Sequence, residues 1–254
     1  SFLLAAMKLL PALFLSLVLA ASAAQAPLVL REEFLNDGAP YPECHASTIV
    51  ETTSGALAAA WFGGTKERHP DVGIWFTREE NRRWLPAVEV ATGVQPTGPR
   101  LPTWNPVLFQ ASRGPLLLFY KVGPSPSKWW GMVISSNDGG RTWSGPTYPP
   151  HVPTEINRDP YGTPLPAYNR GALCEGRDGR IFWAVAATEQ AKPQRNAVHL
   201  LVSVDHGRTW SYTAPVATDS KVTFNEASVH ETPRGDLVVF MRTANFDDHA
   251  CLAR

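Results

Sequence analysis

Ser136-Asn137-Asp138-Gly139-Gly140-Arg141-Thr142-Trp143 and Ser203-Val204-Asp205-His206-Gly207-Arg208-Thr209-Trp210 are two copies of one pattern, S-x-D-x-G-x-T-W. Each follows an apolar run, GMVISS from Gly131 and VHLLVSV from Val198. The pattern has the chemistry of a hairpin connection. An aspartate can fold back onto backbone N–H groups, glycine supplies a positive φ, and tryptophan plugs the space between neighbouring strands.

The turns sit in a longer repeat. A turn ending in glycine precedes an apolar strand four times: Ser54-Gly55 before ALAAAWF, Arg113-Gly114 before PLLLFYK, Asp178-Gly179 before RIFWAVA, and Arg234-Gly235 before DLVVFMR. Each unit offers a further strand, beginning at Val72, Gly131, Val198 and Ala250. The first unit keeps only the tryptophan of the pattern, between Thr77 and Trp84, and the fourth stops at Arg254, where its turn would begin. A repeat of about 60 residues with several strands and an aromatic plug describes a β-propeller blade, so the fold expected is all-β.

Composition narrows the function. In 254 residues, 23 Lys+Arg balance 23 Asp+Glu, so no basic surface for nucleic acid is implied. Glycine (19) and proline (23) are spread along the chain, as many turns between short strands require. Met7-Lys8, the apolar run Leu9 to Ala20 and the small residues Ala21 to Ala26 read as a secretory signal peptide, with residues 1 to 6 as translated upstream sequence. The expected division is therefore 1–26 export segment and 27–254 propeller domain, secreted or periplasmic. The apolar run is shorter than the ~20 residues of a bilayer span, so no stable membrane span is expected in the mature chain. Cys44, Cys174 and Cys251 lie far apart without C-x-x-C spacing. They suit buried free thiols or at most one disulfide, and no zinc site. No P-loop, dinucleotide fingerprint, H-E-x-x-H or G-x-S-x-G is present.

The S-x-D-x-G-x-T-W turns resemble the Asp box, or BNR repeat, of the sialidase superfamily, and the mature chain resembles that family throughout. The resemblance implies a six-bladed propeller, of which about four blades are covered here, the last incomplete, within a longer protein. It places the active site at the axial end where the innermost strands begin. It also implies an arginine cluster for a substrate carboxylate, an aspartic acid as general acid/base, and a tyrosine nucleophile activated by a glutamate.

Several residues match these demands. Phe224-Asn225-Glu226-Ala227-Ser228-Val229, followed by DLVVFMR ending in Arg242, looks like the family's activating glutamate and carboxylate-binding arginine, one on each side of a hairpin. The family's first arginine sits in an R-I-P-like turn before the first strand. The matching stretch here is Glu43 to Val50, with His45 in the arginine's place. Histidine cannot make the bidentate fork, which points toward a different sugar or a lost activity. In the loop Gly63 to Asp71 the acid/base role falls to Asp71 by residue type or to Glu67 by spacing. Lys121, with Trp129-Trp130, could give a cation and an aromatic platform, and Arg170 before the third inner strand could point to the axis. The family's third arginine and its tyrosine have no match in these residues.

The expected function is an exported exo-glycosidase hydrolysing a terminal acidic sugar with retention, using no metal or organic cofactor and a glycan or polysaccharide as partner. Two alternatives stand beside it. One is a propeller glycosidase or lyase on another polysaccharide, containing uronate or rhamnose. The other is a non-catalytic propeller that binds glycans or proteins.

Overall fold

The computed structural model describes residue 29 and residues 31–126, 128–149, 171–189, 195–219, 221–222, 224–243 and 250–253. The expected export segment and the candidate Arg170 lie outside the described residues. The chain divides into Ser1–Phe34 and Leu35–Arg254, and every strand belongs to the second unit. Among the described residues all regular elements are strands, and no helix is long and apolar enough to cross a membrane.

The strands form four antiparallel sheets in chain order. The first contains β1 (Glu43–Glu51), β2 (Leu57–Gly64), β3 (Gly73–Glu80) and β4 (Arg83–Trp84) side by side, with β5 (Val88–Ala91) also paired to β3. The second is β6 (Thr103–Gln110), β7 (Leu116–Val122) and β8 (Trp130–Ser136), extended by a bridge from Val133 to Thr147. The third is β9 (Leu173–Glu175), β10 (Ile181–Glu189) and β11 (Arg195–Ser203), with β12 (Ser211–Tyr212) and β13 (Ala217–Asp219) both on β11. The fourth is β14 (Phe224–Glu231), β15 (Leu237–Thr243) and β16 (Ala250–Ala253). Four successive antiparallel sheets are the arrangement expected of propeller blades.

The apolar runs expected as innermost strands are the second strands of their sheets, β2, β7, β10 and β15. A first strand with more polar residues precedes each, and the Glu43–Val50 stretch expected as a turn lies within β1. The reason is packing. β7 and β10 are covered on both faces by neighbouring sheets and so read as continuously hydrophobic. In β7, Leu116, Leu118 and Tyr120 join Ala58, Ala60, Phe62, Ile74 and Phe76 of the first sheet. The alternate residues Leu117 and Phe119 join Ile181, Trp183 and Val185 of the third. Phe182, Ala184 and Ala186 then meet Phe224, Ala227, Val229, Val239 and Met241 of the fourth. The core thus lies between the sheets. At ~1.5–3 kcal/mol for each large apolar side chain buried, these shared layers dominate the stability.

The two S-x-D-x-G-x-T-W turns are built alike. Ser136 Oγ accepts from Gly140 N (2.7 Å) and donates to Asp138 Oδ1 (2.7 Å), while the Asp138 carboxylate accepts from Thr142 N (2.8 Å) and Thr142 Oγ1 (2.6 Å). Ser203, Asp205, Gly207 and Thr209 repeat those bonds at 2.8, 2.9, 2.8 and 2.6 Å. The tryptophans plug gaps between sheets as well as between strands. Trp143 meets Phe76 of the preceding sheet edge-on at 5.1 Å, and Trp210 meets Trp183 at 6.1 Å in the layer shared with β7. Gly140, at φ +86°, needs its missing side chain because a Cβ there would run into the Phe76 ring.

Of the cysteines with described side chains, Cys174 is half-buried and Cys44 is exposed, and both are free thiols. Cys44 departs from the expected burial because it sits near the start of β1, where Glu43, Cys44 and His45 are all exposed. Burial raises the Cys174 thiol above its usual pKa.

Candidate functional site

Three first strands share one irregularity. Pairing with the second strand skips two residues after His45 in β1, after Trp104 in β6 and after Asn225 in β14. The first residue skipped, Ala46, Asn105 or Glu226, takes a left-handed φ of 56°, 36° or 50°. Such bulges bend a strand and re-aim its side chains, and non-glycine residues hold this conformation at a cost in strain. They fall where the first strands begin, beside the loops that join second to third strands.

Glu226 is one of these bulge residues. Its Oε2 lies 3.6 Å from Arg242 Nη1, and Arg242 pairs with Asn225 across β14 and β15. The sequence-predicted partners are therefore brought together from adjacent strands. Both side chains are substantially exposed, so the ion pair itself contributes little to stability and both groups remain open to a ligand.

At the equivalent end of the first sheet, His45 Nδ1 stands 3.1 Å from Glu67 Oε2. His45 also meets the edge of Phe62, with ring centroids 5.5 Å apart. Glu67 belongs to the loop between β2 and β3, and the sequence offered no sign that it pairs with His45. A search for carboxylates able to orient the histidine ring would have found it.

Asp71, the other acid/base candidate, is held in its own loop. Its two oxygens accept from Thr65 N (3.0 Å) and Thr65 Oγ1 (2.6 Å), and His69 Nδ1 lies 2.7 Å from Oδ1. Arg100 donates to the Asp71 carbonyl at 2.8 Å while pairing with Glu89. Partial burial pushes the Asp71 carboxyl up, but the hydrogen bonds from Thr65 and the contact with His69 outweigh it and leave the pKa below the usual value. An ionised, bonded carboxylate of this kind locks a loop and is a poor proton donor.

Lys121 pairs in register with Trp104 and is buried, 4% exposed, with Nζ 4.9 Å from the centre of the Trp129 ring. Trp104 meets Trp129 edge-on at 5.5 Å and donates from Nε1 to the Gly123 carbonyl at 2.7 Å. The cation and aromatic rings expected as an open platform are thus packed together inside the second sheet's loop. Asn105, half-buried beside them and at the bulge position of Glu226, was not singled out by the sequence reading. The repeat phase, counted back from the glycine turn, could have found it. Among the described residues no cluster of three or more His, Cys, Asp or Glu could hold a metal ion.

Residues 55–254 match the BNR repeat-like domain family. No curated protein matches the chain. Among solved structures, a protein of unknown function from Dyadobacter fermentans shares 36% identity with a TM-score of 0.69, over 82% of this chain and 64% of that one. The Hadza microbial sialidase Hz136 is similar at 21% identity and TM-score 0.59, over 83% of this chain and 46% of that one. Zg3597, a family 117 glycoside hydrolase from the marine bacterium Zobellia galactanivorans, is similar at 12% identity and TM-score 0.55, over 83% of this chain and 69% of that one. The chain thus spans just under two thirds of the Dyadobacter protein and under half of the Hadza sialidase.

Proposed function

Because this chain belongs to the family of BNR repeat-like domains, built as a sialidase-type propeller, we propose that the protein containing it is an exported glycoside hydrolase that removes a terminal acidic sugar with retention. The observation that carries this reading is the Glu226–Arg242 pair, 3.6 Å apart, with Glu226 on a strained bulge. Arg242 grips the substrate carboxylate through its guanidinium fork, and Glu226 accepts the proton of the nucleophilic hydroxyl, which in the family is a tyrosine's. Glu67 is the acid/base in preference to Asp71, whose oxygens are occupied by Thr65 and His69. It protonates the leaving oxygen and then deprotonates the attacking water. His45 takes the sugar side of the first sheet, Lys121 supplies positive charge at the end of β7, and Arg170 adds a third cation. Arg170 precedes Glu175 by five residues, the separation of Glu226 from Glu231. The test is release of 4-methylumbelliferone by the complete protein from a panel of acidic and neutral aryl glycosides. Turnover of an acidic member, abolished in Glu226→Gln and Arg242→Ala, is the expected result. Turnover of neutral members alone, or of none, would remove this reading.

One observation favours a second reading, a lyase acting on uronate-containing polysaccharide. A carboxylate on His45 Nδ1 orients an exposed imidazole with Nε2 available as a base, the arrangement for taking a proton α to a carboxyl group. Elimination would leave an unsaturated uronate with a new ultraviolet absorbance, whereas hydrolysis leaves none.

A further inference from the structure

We propose that the pocket beside the second S-x-D-x-G-x-T-W turn, between the second and third sheets, binds a carboxylate-bearing sugar unit, with Arg208 as its anion clamp and His206 in its wall. The second turn departs from the first at two side chains, and both line this pocket.

His206 stands where the first turn has Gly139, and both residues are left-handed, at φ +60° and +69°. Glycine adopts that conformation freely, whereas histidine holds it at a cost in strain. Gly114 of the second sheet, at φ +97°, makes room for it, since a Cβ there would stand 3.2 Å from His206 Cβ. Once seated, His206 Nδ1 is buried with no hydrogen-bond partner among the described residues, a second cost to the fold.

The arginines differ in the same direction. Arg141 of the first turn donates to Glu80 of the first sheet at 2.9 Å and to the Asp138 carbonyl at 3.1 Å. Arg208, at the same position, is exposed, and its guanidinium has no partner among the described residues. Asp205, the carboxylate nearest to it in sequence, is occupied by Ser203 and Thr209. The charge of Arg208 is left uncompensated.

His206 and Arg208 line a pocket of about 270 Å³ together with Leu117, Ser135, Tyr148 and Trp210. That volume falls just under the ~300 Å³ at which sites for drug-sized ligands begin, so it takes one ring and not a chain. Its walls suit a sugar. Tyr148, 48% exposed, offers an aromatic face to ring C–H groups. Ser135 Oγ, which donates to Ser144 Oγ at 3.3 Å, keeps its lone pairs for a sugar hydroxyl. The guanidinium fork matches a carboxylate and so selects an acidic sugar over a neutral one. The turn stands at the opposite end of the sheets from Glu226 and Glu67. Ser136 and Ser203, which open the two turns, pair with Leu116 and Ile181 at the start of the second strands. A sugar bound here gives a polymeric acidic glycan a second point of attachment, away from the candidate site.

The test is nuclear magnetic resonance of the complete protein carrying isotope-labelled histidine, titrated with methyl β-glucuronide and with its neutral twin, methyl β-glucoside. The His206 ring signals should shift and saturate with the glucuronide at a Kd on the order of 1 mM, and should not move with the glucoside. Arg208→Ala should raise that Kd at least ~10-fold, and Arg141→Ala should leave it unchanged. An unmoved His206 at on the order of 20 mM glucuronide, an equal shift with the glucoside or with sodium acetate, or a shift that survives Arg208→Ala would overturn the proposal. A response at His45 alone would place the sugar only at the candidate site and would overturn it too. Binding at His206 does not require glycoside turnover, so this proposal and the hydrolase reading fail separately.

Discussion

Glu226 and Arg242 face each other across 3.6 Å from neighbouring strands, although sixteen residues of chain and a turn separate them. Two exposed side chains in a plain surface pair would cost little to replace. If they act on the transition state, Glu226→Gln and Arg242→Ala should each lower kcat/KM at least ~100-fold on the acidic aryl glycoside while leaving Tm within about 2 °C. A loss confined to KM in Arg242→Ala would mean that it binds substrate without favouring the transition state.

Glu67 and Asp71 make opposite predictions. Glu67→Gln should reduce kcat by ~100-fold or more with little effect on folding. Asp71→Asn weakens the bonds to Thr65 and the contact with His69, so its main effect should be a lower Tm and faster proteolysis of residues 65–72. Equal losses of kcat from both, at unchanged Tm, would contradict the assignment.

His45→Arg tests which sugar the first sheet accepts. An arginine there would pair with Glu67 and could fork onto a carboxylate. KM for a sialoside should fall by ~10-fold if a carboxylate binds there, a change worth about 1.4 kcal/mol. If His45 is a base for elimination, the same substitution should abolish formation of unsaturated product.

The hairpin turns set an acid limit. Thr142 holds the Asp138 carboxyl well below the usual carboxylate range, and Thr209 does the same for Asp205, from 3.8 to about 2. A depressed folded pKa contributes stability above the unfolded value and loses it as pH falls through the folded one. Tm should therefore be flat above pH 5 and fall between about 4 and 2. Asp205→Asn should lower Tm at neutral pH and flatten that acid slope. Ser136→Ala, which leaves the buried Gly140 N–H without its acceptor, should cost about 1–3 kcal/mol at any pH by denaturant unfolding.

Sequence reading located the turns, the four-fold repeat and the apolar second strands because each is written in local chemistry. Asp138 and Thr142 are four residues apart, and β7 is apolar at every position but one. The first strands were harder to see. β6 carries Thr103, Asn105, Pro106 and Gln110, and its bulge breaks the alternation that would mark a strand. The meeting of Glu226 with Arg242 followed from the hairpin. The meeting of His45 with Glu67 depends on how the eight-residue loop 65–72 folds back, which no local pattern encodes. Lys121 was read as open because lysine usually is, but its stem and Nζ are enclosed by the Trp104 and Trp129 rings.

The two-sided burial of β7 has an evolutionary corollary. Leu116 and Leu118 answer to one neighbour and Leu117 and Phe119 to the other, so the unit that must stay matched is a seam and not a blade. A gene duplication that copies one sheet brings together two surfaces that never evolved to meet, and it survives only where the left and right faces of that sheet are interchangeable. The two faces of β7 meet different sets, Ala58, Ala60, Phe62, Ile74 and Phe76 on one side and Ile181, Trp183 and Val185 on the other, so such an insertion is costly and the number of blades is tied to the particular order of these seams.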